Sequence, residues 1–93
     1  MTPTDKQISM ITYKIESMIS NGSQTMKMFW DNFPKNNEKY PNKVADYRRA
    51  ILEDWIKETK SSKWASYLIT LLHKPDLKKS LSMLNQFYKK NYV

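Results

Sequence analysis

The sequence predicts an all-α protein, a compact bundle of about five short amphipathic helices in a single domain spanning residues 1–93. Apolar residues recur at spacings of three and four along most of the chain, and no stretch alternates as a half-buried strand does. The single Gly argues against a β-sandwich or barrel, which needs many tight turns. Because each predicted helix carries one apolar face, the helices must pack against one another.

The first two helices are predicted from their caps and their apolar spacing. The first covers Pro3–Ser20, with Thr2 as its N-cap, and ends at Gly22, which takes a positive φ without penalty. Ser23 caps a short second helix, and Pro34 stops it. The apolar residues of this second helix follow helical spacing: Met26, Phe29, Trp30 and Phe33.

A polar loop and a long third helix are predicted next. The loop, residues 34–42, has a proline near each end. Asn42 is expected to cap a third helix over Lys43–Thr59. Its expected buried face consists of Val44, Tyr47, Ile51, Leu52, Trp55 and Ile56.

The last third of the chain predicts two more helices. Ser61 or Ser62 opens the fourth, and Lys74-Pro75-Asp76 separates it from the fifth. The apolar residues that follow helical spacing are Trp64, Tyr67, Leu68, Leu71 and Leu72 in the fourth helix and Leu77, Leu81, Leu84 and Tyr88 in the fifth. The opposite side and the ends of the fifth helix are rich in lysine.

The net charge of +7 is concentrated in the C-terminal part of the chain. Residues 57–93 hold eight lysines against Glu58 and Asp76 (8 − 2 = +6), whereas residues 1–56 hold eight basic and seven acidic side chains (8 − 7 = +1). A field of one sign on one part of a small domain attracts polyanions. The sequence therefore predicts a nucleic-acid-binding surface, with a merely solvated lysine face as the alternative. The candidate contacts are Lys43, Arg48, Arg49, Lys74, Lys78, Lys79, Lys89 and Lys90.

The residue types favour contact with the nucleic-acid backbone over the reading of base edges. Lysines are point charges suited to phosphate, and the chain has only two arginines. Further lysines, at positions 57, 60 and 63, are assigned to the connection before the fourth helix. Three tyrosines fit the apolar stripes poorly and are candidates for stacking on unpaired bases: Tyr13, Tyr40 and Tyr92.

Catalytic and metal-binding residues are not expected. The one histidine, His73, lies at the end of the fourth helix, where it suits the last carbonyl groups. Glu53, Asp54 and Glu58 form an acidic grouping that is best explained by ion pairs with Arg49 and lysine. We therefore expect a protein that binds a partner, without enzymatic activity and without a cofactor or metal.

Composition also favours a soluble, cytoplasmic protein. There is no cysteine, as is usual in a reducing compartment, and the first residues lack the features of a secretory signal. The richest apolar run, residues 67–72, is far shorter than the roughly 20 residues that span a bilayer.

One motif in the third helix resembles a known family. Tyr47, Ile51 and Trp55 stand at i, i+4 and i+8, so that three large side chains form a ridge along one helix face. This spacing resembles the Tyr-x-x-x-Ile-x-x-x-Trp signature of the C-terminal helical domain of DnaD/DnaB-type primosome proteins, and the order of elements over about residues 3–58 is also similar. The resemblance implies DNA binding and a role in replication, and we expect an origin in a phage or mobile element.

A second resemblance implies another class of function. Residues 48–84, with Ile51-Leu52-x-x-Trp55 followed by Leu68, Leu71-Leu72 and Asp76-Leu77, resemble the later helices of a death-fold domain. Such domains bind other proteins. The alternative prediction is therefore an interaction module, an inhibitor or adaptor, that places its basic surface against an acidic protein.

Overall fold

A computed structural model describes residues 1–91, with side chains described through Lys89. The all-α prediction is confirmed. The helices are α1 (Asp5–Ser20), α2 (Gln24–Asp31), α3 (Arg48–Thr59), α4 (Ser62–His73), α5 (Leu77–Leu84) and α6 (Gln86–Asn91). The Cα radius of gyration of 12.7 Å is close to the roughly 12 Å expected for a compact domain of this length.

The helix starts follow side-chain capping. α1 begins two residues later than predicted because Thr4, not Thr2, caps it. The Thr4 hydroxyl accepts a hydrogen bond from the Gln7 N–H (3.1 Å), and the Thr4 N–H donates to Gln7 Oε1 (3.0 Å), which completes a capping box. Ser23 caps α2 as predicted, and Ser61 is the one of the two predicted serines that caps α4.

α3 begins at Arg48, five residues after the predicted start at Lys43. The Asn42 side chain does not cap a helix but closes a turn, where it accepts hydrogen bonds from the N–H groups of Val44 (2.8 Å) and Ala45 (3.3 Å). Such local bonds compete with helix formation. The assignment of Val44 to the buried face was wrong, since this side chain is 97% exposed.

The predicted fifth helix is interrupted at Asn85, between α5 and α6. There the Tyr88 N–H bonds to the Asn85 carbonyl (3.0 Å), a three-residue spacing that tightens the turn. Phe87 then packs 4.7 Å from Phe33 and 5.5 Å from Trp55, measured between ring centroids. The aromatic cluster thus fixes the direction of α6.

α1 lies between α3 and α4. Three pairs of side chains along α1 and α3 run in opposite chain order: Asp5 with Lys57, Thr12 with Glu53, and Glu16 with Arg49. α1 is therefore antiparallel to α3. The first turns of α1 and α4 meet, because the Gln7 amide donates to the Ser62 carbonyl (3.2 Å), and the two helices then pack along their length. α1 and α4 are therefore parallel.

The remaining helices close the core. α5 packs against α4 on one side and α2 on the other. The largest side chains that are almost fully buried are contributed by five helices: Ile11, Ile15, Met26, Leu52, Ile56, Leu68, Leu72 and Leu84. The solvent face of α4 is thus left beside α1 and α5, uncovered by another helix.

Candidate nucleic-acid interface

The charged residues are divided between two regions of the fold. Six ion pairs join side chains within residues 5–57. Residues 60–91 contain one carboxylate, that of Asp76. This side chain is half-buried and caps α5, accepting a hydrogen bond from the Lys79 N–H (3.1 Å). The lysines of α4 to α6 therefore have one acidic side chain within their own segment of the chain.

Five exposed lysines of this region form what we call the lysine face. None of them makes an ion pair with any residue that the structure describes. The lysine face consists of Lys63, Lys74, Lys78, Lys79 and Lys89.

α4 supplies the centre of the lysine face. Lys63, Tyr67, Thr70 and Lys74 stand at i, i+4, i+7 and i+11, which places them in one stripe along the helix. All four are exposed, whereas Leu68 on the opposite side is fully buried. The Tyr67 ring is 52% exposed between the two lysines. The stripe thus combines positive charge with an aromatic face.

α5 places further lysines beside this stripe. Leu81 and Asn85 line a groove together with Met28 of α2, so this flank of α5 faces α2. Lys79 precedes Leu81 by two residues and therefore lies on the opposite flank, the one nearer α4. Lys78 follows Lys74 across the short turn between α4 and α5.

Lys89 extends the lysine face toward the start of α4. The Lys60 ammonium group donates to Gln86 Oε1, which holds the first residue of α6 beside the segment that precedes α4. The same ammonium group lies 5.0 Å and 5.1 Å from the ring centroids of Trp55 and Trp64. Lys60 is thus half-buried, and its ammonium group is engaged within the protein, so we do not count it in the lysine face. Lys90, also predicted for the interface, has a side chain outside the described part.

The two predicted arginines do not join the lysine face. The Arg48 guanidinium bonds to Asp46 and to the Trp30 carbonyl (2.9 Å), lies over the Trp30 ring and is only 15% exposed. Its hydrogen bond holds the pKa of Asp46 below the ordinary value. Arg49 is exposed, but its guanidinium bridges Glu16 (3.1 Å) and Glu53 (3.3 Å).

Lys43 is also apart from the lysine face. It is exposed in the loop before α3, and Lys39 and Tyr40 tie this loop to Asp54 of α3 (2.9 and 2.7 Å). Lys43 and this loop therefore lie beside α3, whereas Lys63, Lys74, Lys78 and Lys79 belong to α4, α5 and the turn between them. The structure therefore separates Lys43, Arg48 and Arg49 from the later lysines.

The motif residues of α3 pack within the protein. Ile51 and Trp55 are buried, and Tyr47 is half-buried with its ring stacked 5.0 Å from that of Tyr40. Tyr47 stands at the N-cap, so the ridge begins just before the helix. Their contacts are those of core residues.

The tyrosines predicted to stack on bases differ in accessibility. The Tyr40 ring is already stacked on Tyr47, and its hydroxyl donates to Asp54, so Tyr40 is not available to stack on a base. Tyr13 is 70% exposed on α1. Tyr92 lies outside the described residues. Tyr67 was missed because its position in the apolar pattern of α4 predicted burial; the lysines four residues before it and seven after it were the available signal.

A cleft beside α3, which Phe87 of α6 also lines, carries acidic side chains that would repel a polyanion. It opens between the loop and α3 and is lined by Glu38, Asp54 and Glu58. Burial tends to raise the pKa of Asp54, but hydrogen bonds from Lys39 and Tyr40 outweigh burial and leave that pKa below its ordinary value. The Asp54 carboxylate is thus ionised and engaged within the protein.

No helix within residues 1–91 has the length and apolar character needed to cross a bilayer. No family model matches the chain, and neither the curated proteins nor the solved structures compared with it include a significant match.

Proposed function

We propose that this chain is a small nucleic-acid-binding accessory protein that holds the sugar–phosphate backbone through its lysine face. The observation that carries the proposal is the separation of charge. Carboxylates neutralise several cations of residues 5–57, whereas the lysines of α4 to α6 stand beside a single, capping carboxylate. Uncompensated ammonium groups on one surface bind phosphates with release of counterions.

Both arginines form ion pairs within the protein, which supports contact with the sugar–phosphate backbone of the nucleic acid and not with its base edges. Arginine is the side chain that most often reads a base pair, through two parallel hydrogen bonds to guanine. Arg48 and Arg49 already use their guanidinium groups on carboxylates of the protein. The cations left on the lysine face are point charges, which suit phosphate. We therefore propose binding with little sequence preference.

Fluorescence anisotropy with labelled oligonucleotides at about 50 and about 200 mM salt tests the proposal. We expect affinity to fall steeply between these concentrations, because each phosphate contact releases counterions. No binding at the lower salt concentration would refute the proposal. It would favour the alternative, an acidic protein partner.

A role in replication depends on the resemblance of Tyr47, Ile51 and Trp55 to the primosome signature. In this fold the three residues pack within the protein. Such packing is expected whether or not the chain is related to the primosome proteins. The replication-associated role therefore stays a prediction.

A further inference from the structure

We infer that the nucleic acid bound by the lysine face is single-stranded and that Tyr67 stacks on one of its bases. The inference rests on the proposed function and adds the class of ligand. It starts from the one large aromatic ring that α4 exposes among its lysines.

The Tyr67 ring is free to receive a ligand. It is 52% exposed, and among the described residues it has no ring partner and no hydrogen-bond partner. Other tyrosines already pack on aromatic rings of the protein: Tyr40 and Tyr47 stack on each other, and Tyr88 packs on Phe87. The exposed part of the Tyr67 ring is therefore available to stack on a ligand.

Lysines flank the Tyr67 ring along the helix axis. At a rise of about 1.5 Å per residue, Lys63 lies about 6 Å before Tyr67, and Lys74 lies about 10 Å after it. α4 contains no acidic residue, so nothing on this helix repels a phosphate. A strand laid along the stripe would place phosphates near both ammonium groups and a base over the ring.

Only an unpaired base can use such a ring. In a duplex each base is stacked between its neighbours, and its face is closed to a side chain on a helix surface. In a single strand the bases are free to stack on aromatic side chains while lysines follow the backbone. A duplex would use the lysines of the face but not Tyr67.

Tyr13 provides a matched control on α1. It is 70% exposed and lies on a solvent-facing helix, as Tyr67 does. Its neighbours at three and four residues are Ser9, Met10, Glu16 and Ser17, so a carboxylate and no lysine stands at these positions, and Lys6 lies seven residues before it. We expect Tyr13 to contribute nothing to binding.

The test compares two ligands of equal charge. One is an oligothymidine of about 20 nucleotides, longer than the roughly 4 to 16 nucleotides that a small single-strand-binding domain covers. The other is an abasic oligonucleotide of the same length, which keeps the phosphates and lacks the bases. Affinities are measured by anisotropy for the wild type and for Tyr67→Leu, Tyr67→Phe and Tyr13→Leu.

Stacking predicts a specific pattern. Tyr67→Leu should lose roughly 5- to 150-fold in affinity for oligothymidine and nothing for the abasic strand, with the salt dependence unchanged. Tyr67→Phe, which keeps the ring, and Tyr13→Leu should bind as the wild type does. Because Tyr67 faces solvent, Tyr67→Leu should also melt at the wild-type temperature.

Two results would overturn the inference. Equal affinity of Tyr67→Leu and wild type for oligothymidine would show that no base stacks there, as would an equal loss for both ligands. In either case salt-dependent binding by the wild type would leave the proposed function intact. If the wild type bound neither the strands nor a duplex, the proposed function itself would fail.

Discussion

Removal of three lysines from the lysine face should weaken binding by an amount that follows from counterion release. Replacement of Lys63, Lys74 and Lys79 by Gln takes the net charge from +7 to +4. If all five described lysines of the face each neutralise one phosphate, log affinity falls against log salt with a slope of about −3.5 for a single strand. On this relation each lysine contributes about eightfold at about 50 mM salt and about threefold at about 200 mM. The affinity of the triple variant should therefore fall roughly 500-fold at about 50 mM salt and roughly 30-fold at about 200 mM, and its slope should be about −1.4.

The matched control removes the same charge elsewhere. Lys27, Lys35 and Lys43 are exposed, and they lie in α2 and in the loop before α3. Their replacement by Gln also gives +4, and we expect a loss of at most about threefold with no change in slope. Both triple variants should melt near the wild-type temperature, since the substituted side chains face solvent. Anisotropy over a series of salt concentrations yields both the affinity and the slope.

Equal losses in the two triple variants would refute the reasoning, because the attraction would then depend on total charge and not on one surface. Wild-type affinity in the lysine-face variant at about 50 mM salt would show that these lysines do not contact the ligand. A collapse of its melting temperature would show instead that the lysines stabilise the fold, contrary to their exposure.

Two further predictions concern the stability of the scaffold. Gly22→Ala should lower the free energy of unfolding by about 1–2 kcal/mol, because Gly22 has a φ of 93°, which strains the backbone of any other residue. Backbone strain is the only cost, since an added Cβ would meet no atom within 4 Å. An unchanged urea midpoint would contradict this prediction. Asp54→Asn should destabilise the protein at neutral pH by weakening the bonds to Lys39 and Tyr40. Because the pKa of Asp54 in the folded state is below its ordinary value of 3.8, this stabilisation is complete above about pH 5 and is lost as pH falls through the lowered pKa. The difference in unfolding free energy between wild type and variant should therefore shrink below about pH 4, and a difference that stays constant to about pH 2 would rule out this role.

The helices and much of the core followed from local chemistry. Ser23 and Ser61 start α2 and α4 where the sequence predicted, because a hydroxyl that accepts a hydrogen bond from the helix is a property of a few neighbouring residues. The same applies to Gly22 at the end of α1. The start of α3 could not be predicted, since Asn42 and Asp46 each form a turn that competes with the helix, and the balance depends on how the loop is tied to Asp54.

For the candidate site, the sequence by itself determined that α4 to α6 carry lysines with one carboxylate among them, because composition is independent of folding. Part of the pairing of the arginines is also local, since Asp46 is two residues from Arg48 and Glu53 is four residues from Arg49. Tertiary structure alone added the bonds of Arg48 to the Trp30 carbonyl and of Arg49 to Glu16, and it left Tyr67 exposed because no described helix covers its side of α4. Helical spacing places a side chain on a face, but only the packing of neighbouring helices determines whether that face is buried or open to a ligand.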